Sequence, residues 1–277
     1  MSLLTLEQLE RSKRFIFQHG RLLERKLFEH FFEDGSRQAC LRALGAYQND
    51  DGGFGNGLEP DLLCPDSSAI GAETAMYVLD LLDRNCGAMV DRLLHWIVAN
   101  QTEAGTIPHP PEGLFDYPFQ PWWQNNDDDR VLVIAALMKT WDVDNERFFQ
   151  RVRRYYLTTE LPGAESFYGY PQFVYLKNCA ETAQDRSRLA TMVERLPVLL
   201  EVHADHYPLF GRHWFYAADH VDREVLAEQA QRFVDGLQDD GGLVTPYPDL
   251  PWWRPIWTLD GLILLKRHGF LVDEAAV

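Results

Sequence analysis

The 277 residues carry 46% hydrophobic and 13% aromatic side chains, enough apolar material for one substantial core, and a formal charge of −16. A chain this acidic repels phosphate backbones, so nucleic acid is excluded as an expected partner. No apolar run approaches transmembrane length. Cys40, Cys64, Cys86 and Cys179 show neither CxxC pairing nor histidines at metal spacing, and read as reduced, mostly buried thiols of a cytoplasmic protein with no metal and no cofactor.

Near the start, Glu7, Glu10 and Lys13 interrupt the leucines, so no signal-peptide pattern is visible. Leu9, Phe15, Phe17, Leu22, Leu23, Leu27, Phe28 and Phe31 predict a long helix over about 6–32, weakened at Gly20. Asp34-Gly35-Ser36 stops it and caps the next.

Three segments then repeat one plan. The first runs Arg37 to Gln48, turns at Gly52-Gly53-Phe54, and resumes as an apolar helix from Ile70 to Leu82. The second runs Val90 to Gln101, turns at Gly105-Thr106-Ile107, and resumes from Val131 to Trp141. The third runs Val225 to Gln238, turns at Gly241-Gly242-Leu243, and resumes from Leu259 to Leu265. Before the third turn, Leu226, Ala230, Phe233, Val234 and Leu237 form one stripe backed by polar residues. After the second turn, Val131 to Met138 is apolar all round. Amphipathic helices alternating with fully apolar ones predict an outer ring packed around an inner ring.

A second repeat supports the same reading. Tyr117-Pro118-Phe119-Gln120-Pro121-Trp122-Trp123 matches Tyr247-Pro248-Asp249-Leu250-Pro251-Trp252-Trp253 at an offset of 130, and that offset also aligns Leu132-Val133-Ile134 with Leu262-Ile263-Leu264. Periods of this scale indicate stacked helix pairs. Weaker pairs lie at Arg147 to Tyr156, Pro171 to Cys179, Leu189 to Leu200 and near Trp214 to Ala218. The expected fold is all-α, a single α/α toroid of about five to six helical hairpins spanning 1–277.

Gln48-Asn49-Asp50-Asp51-Gly52-Gly53-Phe54 and Gln238-Asp239-Asp240-Gly241-Gly242-Leu243 resemble the Q-x-x-D-G-G-[FW] repeats of the prenyltransferase and squalene-cyclase-like superfamily, whose members are α/α toroids. Gln101 to Ile107 is a poorer copy. In the proton-initiated (class II) cyclases of that superfamily, D-x-D-D-T-A opens an inner helix. Here Asn126-Asp127-Asp128-Asp129-Arg130-Val131 stands in the corresponding place, with Asn126 for the first aspartate and Arg130-Val131 for Thr-Ala. The resemblance implies Asp128 as proton donor, Asp127 and Asp129 as its neighbours, and a small hydrophobic or isoprenoid molecule as ligand. The zinc site of protein prenyltransferases and the aspartate-rich motifs of class I terpene synthases have no match.

Read without the resemblance, three adjacent carboxylates at a helix start strain one another's ionisation, but aspartate is also the ordinary choice for a helix cap. Trp122, Trp123, Trp252, Trp253 and Trp257 either line a binding mouth or pack helix ends. Glu59 and Asp61, in the glycine loop with Asp50 and Asp51, are either an acid–base set or turn formers. His109, His203, His206, His213 and His220 complete no ligand set and read as surface or hydrogen-bonded histidines. Arg130, Arg151, Arg153 and Arg154 are read as a solvated face rather than a diphosphate clamp. Two other readings stay open: a carbohydrate-active α/α-barrel enzyme of glycoside hydrolase or lyase type, and a non-catalytic toroid that binds a peptide or protein.

Overall fold

The computed structural model describes residues 3–84, 87–125, 127–245 and 247–271. Among these residues the chain is all-helical, with no strand. None of the helices is long and apolar enough to cross a membrane. The chain packs as two compact units, Leu44–Met192 and the pair Met1–Ala43 with Val193–Val277. Helix α3 (Arg37–Gly45) carries the chain from the second of these into the first.

In the Leu44–Met192 unit, α4 (Ala69–Leu81), α6 (Arg130–Thr140) and α8 (Tyr170–Cys179) are the buried helices. Every residue of α6 from Arg130 to Met138 is buried, as the all-apolar run predicts, and α6 packs along α8 and against α4. Burying each Val, Leu, Ile or Met is worth about 1.5–3 kcal/mol, so α6 has no face it could turn to water without loss. The accompanying helices are amphipathic. Helix α5 (Ala88–Ala99) buries Leu93, Trp96 and Ile97, and α7 (Glu146–Tyr156) buries Phe148, Arg151, Val152 and Tyr156. Helix α9 (Ala183–Glu194) buries Asp185 and Met192. Ser68 caps α4 by accepting from the Gly71 N–H, and Asn145 caps α7 by accepting from the Phe148 N–H.

The same alternation governs the other unit. Here α12 (Trp253–Arg267) is buried almost throughout, and α1 (Leu6–His19) and α2 (Leu22–Phe32) pack on it. Helix α10 (Leu196–Val202) is short, and α11 (Arg223–Asp235) presents Leu226, Ala230, Phe233 and Val234 inward. The single N-terminal helix expected over 6–32 is two helices. At Gly20 the backbone leaves the helix, and a Cβ there would lie 2.6 Å from the Ile16 carbonyl oxygen.

The three glycine turns are one device. Gly52, Gly105 and Gly241 have φ of +95°, +96° and +86°, a region that side chains avoid. A Cβ at Gly105 would stand 2.2 Å from the Arg151 carbonyl oxygen of α7. Gly52 meets Arg92 of α5 in the same way, and Gly241 meets Arg11 of α1. Each turn therefore sits directly on the backbone of the next amphipathic helix in its own unit. The glutamines reinforce this: Gln48 donates to the carbonyls of Gly52 and Met89, and Gln101 to those of Gly105 and Phe148.

A further repeat accompanies the turns. Four residues beyond each contacted arginine stands an aromatic side chain: Trp96, Tyr155 and Phe15. The rings of Trp96 and Phe15 lie against the second turn glycine, Gly53 or Gly242.

Candidate functional site

Of the predicted site residues, Glu59, Asp61, Trp122, Trp123 and Asp127 to Asp129 belong to the Leu44–Met192 unit. They gather where α4 and α6 begin. Asn126 lies outside the described residues.

Arg130, the first residue of α6, is the centre of the group. Its Nε donates to Asp127 at 2.5 Å and its Nη1 to both oxygens of Glu73, at 3.2 and 3.4 Å. Its guanidinium lies over the Tyr170 ring at 5.5 Å, and the Tyr170 hydroxyl donates to Glu73 at 2.9 Å. Burial works against the charge of Arg130, but Glu73, then Asp127, then Glu59 more than offset it and hold its proton above the ordinary guanidinium range. Arg130 and Arg151 are thus buried ion-pair partners, not members of a solvated face. Arg153 is half-buried against Asp185, and Arg154 alone of the four is exposed.

The glycine-loop carboxylates turn inward. Asp61 accepts from the Trp123 indole at 2.7 Å, and Glu59 from the Thr74 hydroxyl at 3.0 Å; both carboxylates are buried. Asp51, by contrast, does turn chemistry, accepting from the Gly53 N–H, the Ser67 hydroxyl and the Trp96 indole.

The acid triplet divides three ways. Asp127 pairs with Arg130. Asp129 occupies the N-cap of α6, yet its side chain makes no capping bond; it accepts from the Tyr155 hydroxyl at 2.7 Å. At the second turn Thr106 replaces the second glycine, and Tyr155 is the aromatic residue whose tip reaches this carboxylate. Asp128 is half-buried, and burial, followed by the charges of Asp129 and Asp127, pushes its carboxyl above the usual aspartate range. Burial also raises Asp129, with Asp127 adding to it and the Tyr155 bond opposing it.

No protein-family model, curated protein or solved structure matches the chain.

The two Tyr-Pro-x-x-Pro-Trp-Trp strings place their tryptophans alike. The first of each pair, Trp122 and Trp252, is 41% exposed, and the second, Trp123 and Trp253, is 6% exposed. Their backbones differ, since Pro121–Gln124 is a 3-10 turn ahead of α6 whereas Trp253 already opens α12. In the unit that holds α12, Trp253 packs on half-buried Trp257 at 5.8 Å, and Trp257 on Tyr247 at 6.2 Å. A second buried pair lies there, Arg212 with Asp260 at 2.8 Å.

His109 is buried rather than superficial. Its Nε2 lies 3.1 Å from the Trp123 carbonyl oxygen, and its ring meets the Trp123 ring edge-on at 5.7 Å. His203 and His206 meet edge to face at 5.6 Å. Among the described residues no group of three or more His, Cys, Asp or Glu side chains is arranged to hold a metal ion.

The loop that supplies Glu59 and Asp61 also borders an open groove of about 690 Å³, lined by Asp50, Asp51, Asp66 and Glu112 with Trp96 and Pro111 among its walls. Glu73, Tyr155 and Tyr170 had no part in the sequence-based site. Glu73 did leave a signal, as the only charged residue between Ala69 and Leu79 of an otherwise apolar helix, where an ionised group is rare unless paired.

Proposed function

We propose that this chain is an acid–base enzyme acting on a carbohydrate, with its centre at the beginnings of α4 and α6. The observation that carries the reading is the divergence of two neighbours: Asp127 is ion-paired with Arg130 while Asp128 keeps its proton to higher pH. A carboxyl with a raised pKa beside a carboxylate held in an ion pair supplies an acid and a base from one segment. Asp128 takes the role of general acid, with Asp127 or one of the buried loop carboxylates opposite it. The setting is polar, since Glu59, Asp61, Glu73 and Asp129 are all hydrogen-bonded carboxylates there, and this favours a polar substrate. Exposed Trp122 offers an indole face to a sugar ring. A ring of helical pairs is the architecture we propose for the whole chain. In its favour, the last glycine turn rests on α1, the first helix, just as the earlier turns rest on α5 and α7.

A second reading has its own support. The raised carboxyls of Asp128 and Asp129, together with the resemblance of the glycine turns, favour a proton-initiated cyclase of a small isoprenoid.

One panel separates the two. The parent and Asp128→Asn are assayed for new reducing ends or unsaturated products from oligosaccharides, and for cyclised products from polyprenyl substrates of graded length. Sugar turnover that falls about 10²–10⁴-fold in Asp128→Asn, with the helical far-UV signal intact, upholds the first reading. Turnover of polyprenyl substrates alone replaces it with the second, and no turnover of either class by the parent overturns both.

A further inference from the structure

The second glycine turn departs from the other two at one position. Asp51 and Asp240 immediately precede Gly52 and Gly241, and each takes donors at its own turn. Asp51 accepts from the Gly53 N–H and the Trp96 indole, and Asp240 from the Gly242 N–H and the Arg254 guanidinium. At the second turn the corresponding residue is Ala104, whose side chain offers no acceptor. Tyr155 takes the place of Trp96 there, and a Cβ on Gly105 would stand 3.2 Å from its own Cβ. With no carboxylate in the turn, its hydroxyl reaches out of the repeat and donates to Asp129 at 2.7 Å. Burial and then that bond keep the proton on the tyrosine. A hydroxyl donor stabilises a carboxylate more than a neutral carboxyl group, because the bond to the charged form is the stronger. Asp128 and Asp129 adjoin, and two interacting acids release their protons in turn. The other charged groups acting on them are Asp127, which favours protonation of both, and Arg130, which favours ionised Asp129.

We propose that Tyr155 is a positioning residue, holding Asp129 as the carboxylate so that the proton shared by the two neighbours resides on Asp128. A phenol carries its donor at the tip of the ring, where neither the indole of Trp96 nor the phenyl group of Phe15 has one. The catalytic meaning of this assignment rests on Asp128 being the general acid, as proposed above; the assignment of the proton does not.

The test is an NMR titration of the full chain labelled with ¹³C at the aspartate carboxyls, with resonances assigned from Asp128→Asn and Asp129→Asn. In the parent, Asp129 ionises at lower pH than Asp128; the opposite order overturns the proposal with no need of a variant. In Tyr155→Phe, with the far-UV signal unchanged, Asp129 holds its proton to a pH higher by roughly one unit or more, and the Asp128 midpoint falls. In Asp129→Asn the Asp128 midpoint falls likewise, and Tyr155→Phe added there moves it no further, because the tyrosine acts through Asp129. An Asp128 midpoint unmoved by Tyr155→Phe, or a shift that persists in the Asp129→Asn background, means a packing role only and overturns the proposal. If an oligosaccharide is turned over, the alkaline limb of kcat/KM moves to lower pH in Tyr155→Phe, together with the Asp128 midpoint. Titrations as expected in a parent that turns over nothing uphold the proton assignment and remove the proposed function. Turnover lost in Asp128→Asn beside an unmoved midpoint does the reverse.

Discussion

Replacing Arg130 with methionine removes the cation at the centre of the site and keeps most of the side-chain volume. At an effective dielectric near 20, unit charges at the observed 3.2 and 2.5 Å separations attract by roughly 5–7 kcal/mol each. Desolvation cancels most of that, and the pair with Asp127 is discounted further because that carboxylate is 25% exposed. What remains is the cost of stranding Glu73 and Asp127 without their guanidinium, about 3–5 kcal/mol for a buried pair broken on one side. Against a total stability of about 5–15 kcal/mol, Arg130→Met stands close to unfolding, with a Tm lowered by on the order of 10 °C. Urea titration followed by tryptophan emission measures the loss. The distinguishing experiment is a cycle with Glu73→Gln, which removes the stranded charge while the Tyr170 hydroxyl still has an oxygen to donate to. In the Arg130→Met background it recovers about 1–2 kcal/mol, whereas alone it destabilises. A loss below about 1 kcal/mol for Arg130→Met, or a Glu73→Gln effect of the same sign in both backgrounds, would refute the reasoning.

Gly105→Ala forces a Cβ against the Arg151 carbonyl oxygen at positive φ and costs about 2 kcal/mol or more; an unchanged urea midpoint would count against the turn geometry. For Asp128 the folded pKa lies above the unfolded one. The folded state therefore holds the proton longer, and the stability this group contributes is complete below the ordinary aspartate value and lost as pH rises through the raised one. Asp128→Asn accordingly gains stability relative to the parent as pH rises above the ordinary aspartate value, and urea midpoints that keep a constant gap as pH rises from there exclude the shift. Trp123→Phe removes the indole N–H that donates to the buried Asp61 carboxylate and lowers stability by about 1–3 kcal/mol. Trp122→Phe, at an exposed position, stays within about 0.5 kcal/mol. Equal losses in the two variants, read by differential scanning calorimetry, would contradict the inward and outward assignment.

Much of the helical plan was legible because it is local. The apolar run at Val131, the stripe at Leu226 and the glycine turns each state their own burial within a dozen residues. The turn glycines were readable for the same reason, since positive φ is a property of one residue. The R-x-x-x-aromatic repeat was not, because the turns meet the backbones of Arg92, Arg151 and Arg11, and the Arg92 and Arg151 guanidinium groups meet Asn49 and Glu103, only across long stretches of chain. At the site, Asp61 and Trp123 were both singled out, but their mutual bond joins positions 62 residues apart. Neither propensity nor period reaches that far.

By itself, then, the sequence determined which stretches coil, where they stop, and which helices have no face for water. The partners were decided only in three dimensions. Glu73 meets Arg130 across 57 residues and Tyr170 across 97, and it was this meeting that turned an expected surface arginine into a buried one and three like aspartates into three different groups. The physical reason is that hydrophobic periodicity acts without direction, whereas an ion pair or a hydrogen bond exists only when packing has brought two particular atoms within about 3 Å of each other.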